Sequence, residues 1–205
     1  MWVWFAAGGP VMWPLLACSI IALTVVLERL VFWARLDIAR DTQSIEWLLE
    51  AYGAGKPASD PPPGARKGTV YAMLLSGIAH REFSCTKAME VRVLDETKRM
   101  RRGMRILDTI ITVAPMLGIL GTVSGIITSF DILGQAGVEE PKTVISGIAE
   151  ALITTVAGLT IAIAVVFPYN WFNALTEDAL NNFEHYGTRL EMLQEHLSPR
   201  KKEAD

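Results

Sequence analysis

A few polar side chains inside long apolar stretches are the residues that could carry chemistry in this sequence. Glu150 lies just inside one stretch and is followed by Thr154 and Thr155, while Thr122 lies in another. Ionisable groups at bilayer depth are energetically costly and generally mark an ion path. A plainer interpretation stays open, because an acid four residues from Ser146 can simply stabilise the positive end of its helix dipole.

Three apolar runs must position these side chains: residues 11–33, 106–133 and 148–172. Each has the roughly 20 mainly apolar residues that a helix needs to cross a hydrocarbon core of about 30 Å. The chain is 51% hydrophobic yet 20% charged, because apolar and charged residues are segregated along it. The pattern predicts an all-α polytopic inner-membrane protein with three transmembrane helices and extended cytoplasmic helices.

The basic residues set the expected orientation. Of the 19 Lys and Arg residues, 14 lie from Arg29 to Arg105, one between the second and third runs, and four after the third. The positive-inside rule then places residues 1–10 and the loop 134–147 in the periplasm, and residues 34–105 and 173–205 in the cytoplasm. No basic residue precedes Arg29, so the first run has the wrong charge order for a cleavable signal peptide.

Helical periodicity outside the spans predicts three further features. The first helix is expected to continue to about Tyr52, where glycines and then residues 61–63, all proline, break it. From about Gly68, apolar spacing predicts a helical stalk that feeds directly into the second span. The spacing between Thr176 and Leu197 predicts a helix that extends the third span into the cytoplasm.

Small and polar residues recur at helical spacing within the second and third spans. The second span carries Pro115, Gly118, Thr122, Gly125 and Ser129, and the third carries Ala151, Thr155, Gly158, Ala162 and Val165. Such stripes can pack two helices closely or line a lumen. Thr154 beside Thr155 leaves open which hydroxyl faces inward. If the stripes line a lumen, the predicted ion pathway is Thr122, Glu150 and Thr155. The pore-lining candidates are then Pro115, Gly118, Gly125, Ser129, Ala151, Thr154, Gly158 and Ala162.

Other classes of function find little support in the sequence. The histidines His80, His185 and His196 match no metal-binding spacing, and no phosphate-binding glycine loop occurs, so we expect no metal, no cofactor and no enzymatic activity. Cys18 and Cys85 are expected to stay reduced. A net charge of −3 argues against nucleic-acid binding, and the basic residues before the second span are typical of contact with membrane lipid.

Two motifs in the spans resemble a known family. They are A-P-M-L-G-I-L-G-T-V at residues 114–123 and G-I-A-E-A-L at residues 147–152, followed by the run from Thr155 to Asn170. Together they resemble the proton-channel family of ExbB, TolQ and MotA. The beginning of the first span, G-P-V-M-W-P-L at residues 9–15, and L-E-R-L at residues 27–30 are more similar to ExbB than to the flagellar member.

The resemblance implies a homopentamer around two copies of an ExbD- or TolR-like single-span partner that supplies an aspartate. Thr122 and Thr155 would face the lumen near that aspartate, and Glu150 would be the further polar residue needed for energy coupling. Such a complex uses the proton gradient to act on a TonB- or TolA-like protein. The alternatives are a TolQ- or MotA-like stator, possibly driven by sodium, and a passive scaffold whose small residues only pack helices.

Overall fold

The computed structural model describes residues 9–36, 42–55, 68–81, 84–136 and 141–202, and these ranges contain helices and no strand. The helices are α1 (Met12–Arg35), α2 (Thr42–Gly53), α3 (Thr69–Ala79), α4 (Cys85–Met100), α5 (Met104–Ala136) and α6 (Pro141–Lys202). The predicted all-α class is therefore confirmed. The three prolines at residues 61–63, which were expected to interrupt the helix, lie outside the described ranges.

Three of the helices are long and apolar enough to cross a membrane. The candidate spans are Met12–Arg35, Met104–Gly134 and Ile145–Leu197. Most of their surface stays uncovered by the chain itself, which suits contact with lipid or with other chains. Three membrane-length helices confirm the predicted polytopic architecture.

The chain divides into two compact units. The first unit comprises Met1–Leu30 with Gly103–Phe172, and it contains most of α1, all of α5 and the apolar first half of α6. The second unit comprises Val31–Arg102 with Asn173–Asp205. Its core consists of side chains with almost no exposure, contributed by α2, α3, α4 and the end of α6: Leu48, Tyr71, Met73, Leu74, Met100 and Leu190.

Two helix boundaries differ from the sequence prediction. The expected continuation of the first helix to Tyr52 is wrong, because α1 ends at Arg35 and the apolar positions from Ile45 to Tyr52 form the buried face of a separate helix. The expected direct feed of the stalk into the second span is also wrong. Residues 101–103 form a turn between α4 and α5, and Gly103 adopts a φ of 77°, which a glycine accommodates without strain.

Two other predictions at the helix ends hold. A helix begins at Thr69, close to the expected start at Gly68, and α6 continues without interruption from the third span to Lys202. Pro141 opens α6, where a proline suits the first turn because that position has no intrahelical amide partner.

Candidate functional site

The helices α5 and α6 meet along their glycine-bearing faces, which bring the two backbones close together. A Cβ atom on Gly118 would lie 3.0 Å from both the Thr154 carbonyl oxygen and the Thr155 Cα atom. A Cβ atom on Gly125 would lie 2.8 Å from the Ala151 Cβ atom. Even a Cβ atom at these positions would force the facing residues to shift, so the glycines permit this close approach. We call this contact the α5–α6 seam.

Thr122 and Thr155 meet at the centre of the seam. Their hydroxyl groups are hydrogen-bonded to each other. The Thr122 hydroxyl also lies 3.1 Å from the Gly118 carbonyl oxygen and 3.2 Å from the Ala151 carbonyl oxygen, and the Thr155 hydroxyl lies 3.1 Å from the Gly118 carbonyl oxygen. Each hydroxyl can donate one hydrogen bond at a time, and the nearby acceptors, which are the two carbonyl oxygens and the hydroxyl oxygens themselves, outnumber the two donors. The pair can therefore exchange hydrogen-bond partners without moving its oxygen atoms.

Thr154 occupies a different environment from its neighbour Thr155. It is 2% exposed, and its hydroxyl donates to the Ala151 carbonyl oxygen at 2.7 Å, with the Gly118 carbonyl oxygen at 3.2 Å. Its side chain also fills the space beside Gly121. Thr155 is half-buried and shares its hydrogen bond with Thr122. The geometry thus gives Thr154 a packing position and pairs Thr155 with Thr122.

Two further predicted stripe residues, Ser129 and Gly158, lie at the seam on either side of the threonine pair. Ser129 is buried against Gly147 and donates to the Gly125 carbonyl oxygen at 2.8 Å. Gly158 contacts the backbone of Ala114 near the other end of the seam. Ala151 and Ala162 are buried, and Pro115, inside α5, is half-buried.

Glu150 lies in α6, but its side chain lies outside the described part of the structure. Its backbone position is five residues before Thr155 on the same helix. Five residues correspond to about 7.5 Å along a helix axis. The backbone positions of Glu150 and Thr155 are therefore separated along the helix axis by little more than one turn.

A cavity of about 340 Å³ opens beside the seam at the end nearest the start of α1. Its polar lining includes Ser124, Thr128 and Ser146. Thr154 and the glycines of the seam, Gly121, Gly125 and Gly147, also line it. The Thr128 hydroxyl donates to the Ser124 carbonyl oxygen at 3.0 Å, so the lone pairs of its oxygen stay available. A polar cavity of this size can hold several water molecules.

The sequence prediction did not include Ser124 or Thr128 among the site residues. The two residues are four positions apart on α5, and each directly precedes a predicted stripe residue: Ser124 precedes Gly125, and Thr128 precedes Ser129. That spacing was the available signal. The described residues hold no group of three or more His, Cys, Asp or Glu side chains suited to a metal ion.

The outer faces of the same helices are apolar. Met116 and Ile119 on α5 and Val156 and Ile163 on α6 are each more than half exposed. The fold and the seam therefore define a polytopic helical membrane protein that carries a hydroxyl pair between two apolar spans.

Comparison with known proteins assigns this class to a family. The model of the MotA/TolQ/ExbB proton channel family matches residues 67–185, and the chain belongs to that family. This is a family of channel and transport proteins rather than of enzymes. Membership of this family and the three apolar helices together identify the chain as an integral inner-membrane protein of the proton-channel type.

Individual relatives agree with the family assignment. The chain is 38% identical to the putative biopolymer transport protein ExbB-like 1 of Synechocystis sp., over 92% of this chain and 77% of the relative. It is 26% identical to the biopolymer transport protein exbB1 of Vibrio cholerae, over 86% of this chain and 81% of the relative. The Tol-Pal system protein TolQ of Pseudomonas aeruginosa is 37% identical over 47% of this chain and 42% of its own length.

Proposed function

We propose that this chain is the ExbB-like subunit of an inner-membrane machine driven by the proton-motive force, which energises a TonB- or TolA-like periplasm-spanning protein. The observation that carries the proposal is the hydrogen-bonded pair of Thr122 and Thr155 between two apolar spans. Glu150, predicted to belong to the same pathway, lies on the helix of Thr155. Membership of a proton channel family supports this assignment of roles.

The pathway requires more than one chain. Threonine hydroxyls relay hydrogen bonds but do not ionise near neutral pH, so a titratable carboxylate must carry the proton. One Glu and two Thr residues are too sparse for a continuous path within a single subunit. A homopentamer around two copies of an ExbD- or TolR-like single-span partner would enclose a shared hydrated lumen, and the aspartate of the partner would face the hydroxyl pair.

The charge distribution supports the orientation that this role needs. Most basic residues precede the second span, so we place the N-terminus in the periplasm and the second unit, with the C-terminus, in the cytoplasm. The basic residues before α5 would contact the anionic headgroups of the inner leaflet.

Sodium transport is the second candidate. Two hydroxyl oxygens and the carbonyl oxygens of Gly118 and Ala151 converge at the seam. Oxygen ligands of this kind suit a hard cation. A sodium-driven, MotA-like or TolQ-like machine would keep the same architecture and change only the ion.

The test is to replace each hydroxyl by a methyl group of similar size. Thr122→Val and Thr155→Val are expected to lower proton uptake into vesicles containing the chain and its single-span partner by about tenfold or more, a barrier increase of about 1.4 kcal/mol. Thr160→Val is the matched control, because Thr160 is exposed on the same helix and its hydroxyl donates only to the Val156 carbonyl oxygen. Glu150→Ala is expected to abolish uptake while assembly persists.

Each outcome separates the candidates. Full proton uptake by both valine variants would show that the two hydroxyls lie outside the pathway and that the seam only packs the helices. Uptake that follows a sodium gradient and ignores a proton gradient would favour the sodium-driven machine. Counting the copies of each chain in the purified complex tests the pentamer and its central dimer directly.

A further inference from the structure

A cavity of about 520 Å³ lies in the second unit between α3, α4 and the last part of α6. Its floor is apolar and consists of Met73, Met89, Leu180 and Phe183. Its rim carries three carboxylates: Glu90, Glu184 and Glu191. We call this surface the acidic groove. Methionine-rich apolar floors adapt readily to the side chains of a docked helix.

Among the described residues, the rim carboxylates have no basic partner, whereas two other acidic residues of this unit are paired. Glu46 is paired with Arg189, and Glu96 with Arg92 and Arg99. In contrast, Glu90 and Glu184 are exposed and form no ion pair within the described ranges.

Glu191 also lacks an ion pair there, and accepts a hydrogen bond from the Thr86 hydroxyl at 2.6 Å. An occupant of the groove must therefore combine positive charge with an apolar surface.

The same unit exposes a surface of that composition. Lys87, Val91 and Lys98 are spaced by four and seven residues on α4, so they lie on one face of the helix. Val91 is 60% exposed, and neither lysine forms an ion pair with a described residue. We call these three residues the α4 stripe. Leu94 is 59% exposed and belongs to the lining of the groove in the same copy, so it borders the stripe and is not part of it. The apolar side chain of Val91 between two positive charges complements the acidic groove.

A single copy cannot bring the two surfaces together, because α4 carries the stripe and also forms one wall of the groove. The groove uses residues 86–94 of α4 and the stripe uses residues 87–98, so both lie at the same height along the helix. A second copy can then dock by rotation about an axis parallel to α4 with little shift along it. Such a head-to-tail contact closes into a ring when a whole number of these rotations makes one full turn.

We infer that the acidic groove receives the α4 stripe of a second copy of this chain. The inference deepens the self-assembly part of the proposed function and rests on it, but it assigns a contact to the second unit that does not involve the α5–α6 seam. In the assembled ring, each copy presents its stripe to one neighbour and its groove to the other.

Disulfide cross-linking between differently tagged copies tests the contact. Both native thiols are first removed by Cys18→Ser and Cys85→Ala. One tagged copy then carries Val91→Cys on the stripe and the other carries Thr188→Cys at the groove. Oxidation in membranes that contain both copies and the single-span partner is expected to yield a covalent dimer bearing both tags.

Two controls make the cross-link specific. In the first control, the cysteine is placed at position 185 (His185→Cys) and Thr188 is left unchanged. Because His185 is exposed on the same helix but outside the groove lining, we expect no doubly tagged dimer. Lys87→Glu with Lys98→Glu should lower its yield by about tenfold, because like charges then face each other. Combining these with Glu184→Lys and Glu191→Lys should restore the yield.

Failure of this contact is distinguishable from failure of the proposed function. No doubly tagged dimer, or equal yields with Thr188→Cys and His185→Cys, overturns the docking. Cross-linking of Thr188→Cys to the single-span partner in place of Val91→Cys also overturns it. Proton uptake by the same vesicles reports on the pathway at the seam independently of either result.

Discussion

Different kinds of interaction stabilise the interior of each of the two units. At the α5–α6 seam, stability comes from close backbone approach at glycines and from hydroxyl groups that donate to carbonyl oxygens of the facing helix. The second unit has a core of large apolar side chains, and the ion pair between Glu46 and Arg189 links two of its helices at the surface. Within the part of the chain that the structure describes, no ion pair crosses the seam.

The difference follows from the solvent that each unit is built for. Lipid is as apolar as leucine, so large apolar side chains gain little by moving from lipid into a helix contact, and small residues that permit close packing are favoured. In water, burial of an apolar side chain contributes about 1.5–3 kcal/mol. The seam therefore depends on the absence of side chains, whereas the second unit depends on their size.

Removing bulk should damage the second unit most. Leu74 on α3 is fully buried, so Leu74→Ala is expected to destabilise the protein by about 2–5 kcal/mol through lost burial and a residual cavity. The measurement is thermal unfolding of the detergent-solubilised protein. The neighbouring Leu75→Ala is the matched control, because Leu75 is 38% exposed and its loss should cost much less. Equal effects of the two substitutions would contradict the assigned core.

Adding bulk should damage the seam. Gly118→Leu places a side chain against the backbone of Thr154 and Thr155, and is expected to cost about 1–3 kcal/mol or more through overpacking. The same unfolding measurement applies. Gly134→Leu is the matched control, since no atom lies within 4 Å of a Cβ placed on Gly134 near the end of the same helix. A Gly118→Leu variant as stable as the control would show that the seam is not closely packed.

The sequence predicted the spans and the residues of the seam better than it predicted the second unit. Length and hydropathy alone define a membrane helix, and helical spacing alone places Thr122 and Gly118 on one face. The end of α1 at Arg35 carries no proline or glycine, so no local signal marked it.

Local sequence patterns could not predict contacts between distant parts of the chain. Thr86 meets Glu191 and Glu46 meets Arg189 only after the chain folds, because more than 100 residues separate the members of each pair. The acidic groove depends on the first of these contacts. The cavity beside the seam likewise required the positions of α1, α5 and α6 together.

The smallest expected effect concerns the ion pair between Glu46 on α2 and Arg189 on α6. The Arg189 guanidinium donates to both carboxylate oxygens of Glu46, at 2.6 and 2.9 Å, and this holds the pKa of Glu46 below its ordinary value of 4.5. A carboxyl group whose pKa is lower in the folded state stabilises that state above its unfolded pKa. The stabilisation is lost as the pH falls through the lowered folded value.

Because both side chains are more than a third exposed, solvent screening limits the contribution to about 0.2–1 kcal/mol. Glu46→Gln should therefore lower the unfolding temperature slightly at pH 7 and have no effect at a pH well below 4.5. High salt should reduce the difference at pH 7, because exposed charges are screened. A deficit that persists unchanged in acid would mean that Glu46 stabilises the second unit by packing, and the contrast between the ionic surface of that unit and the uncharged seam would lose this support.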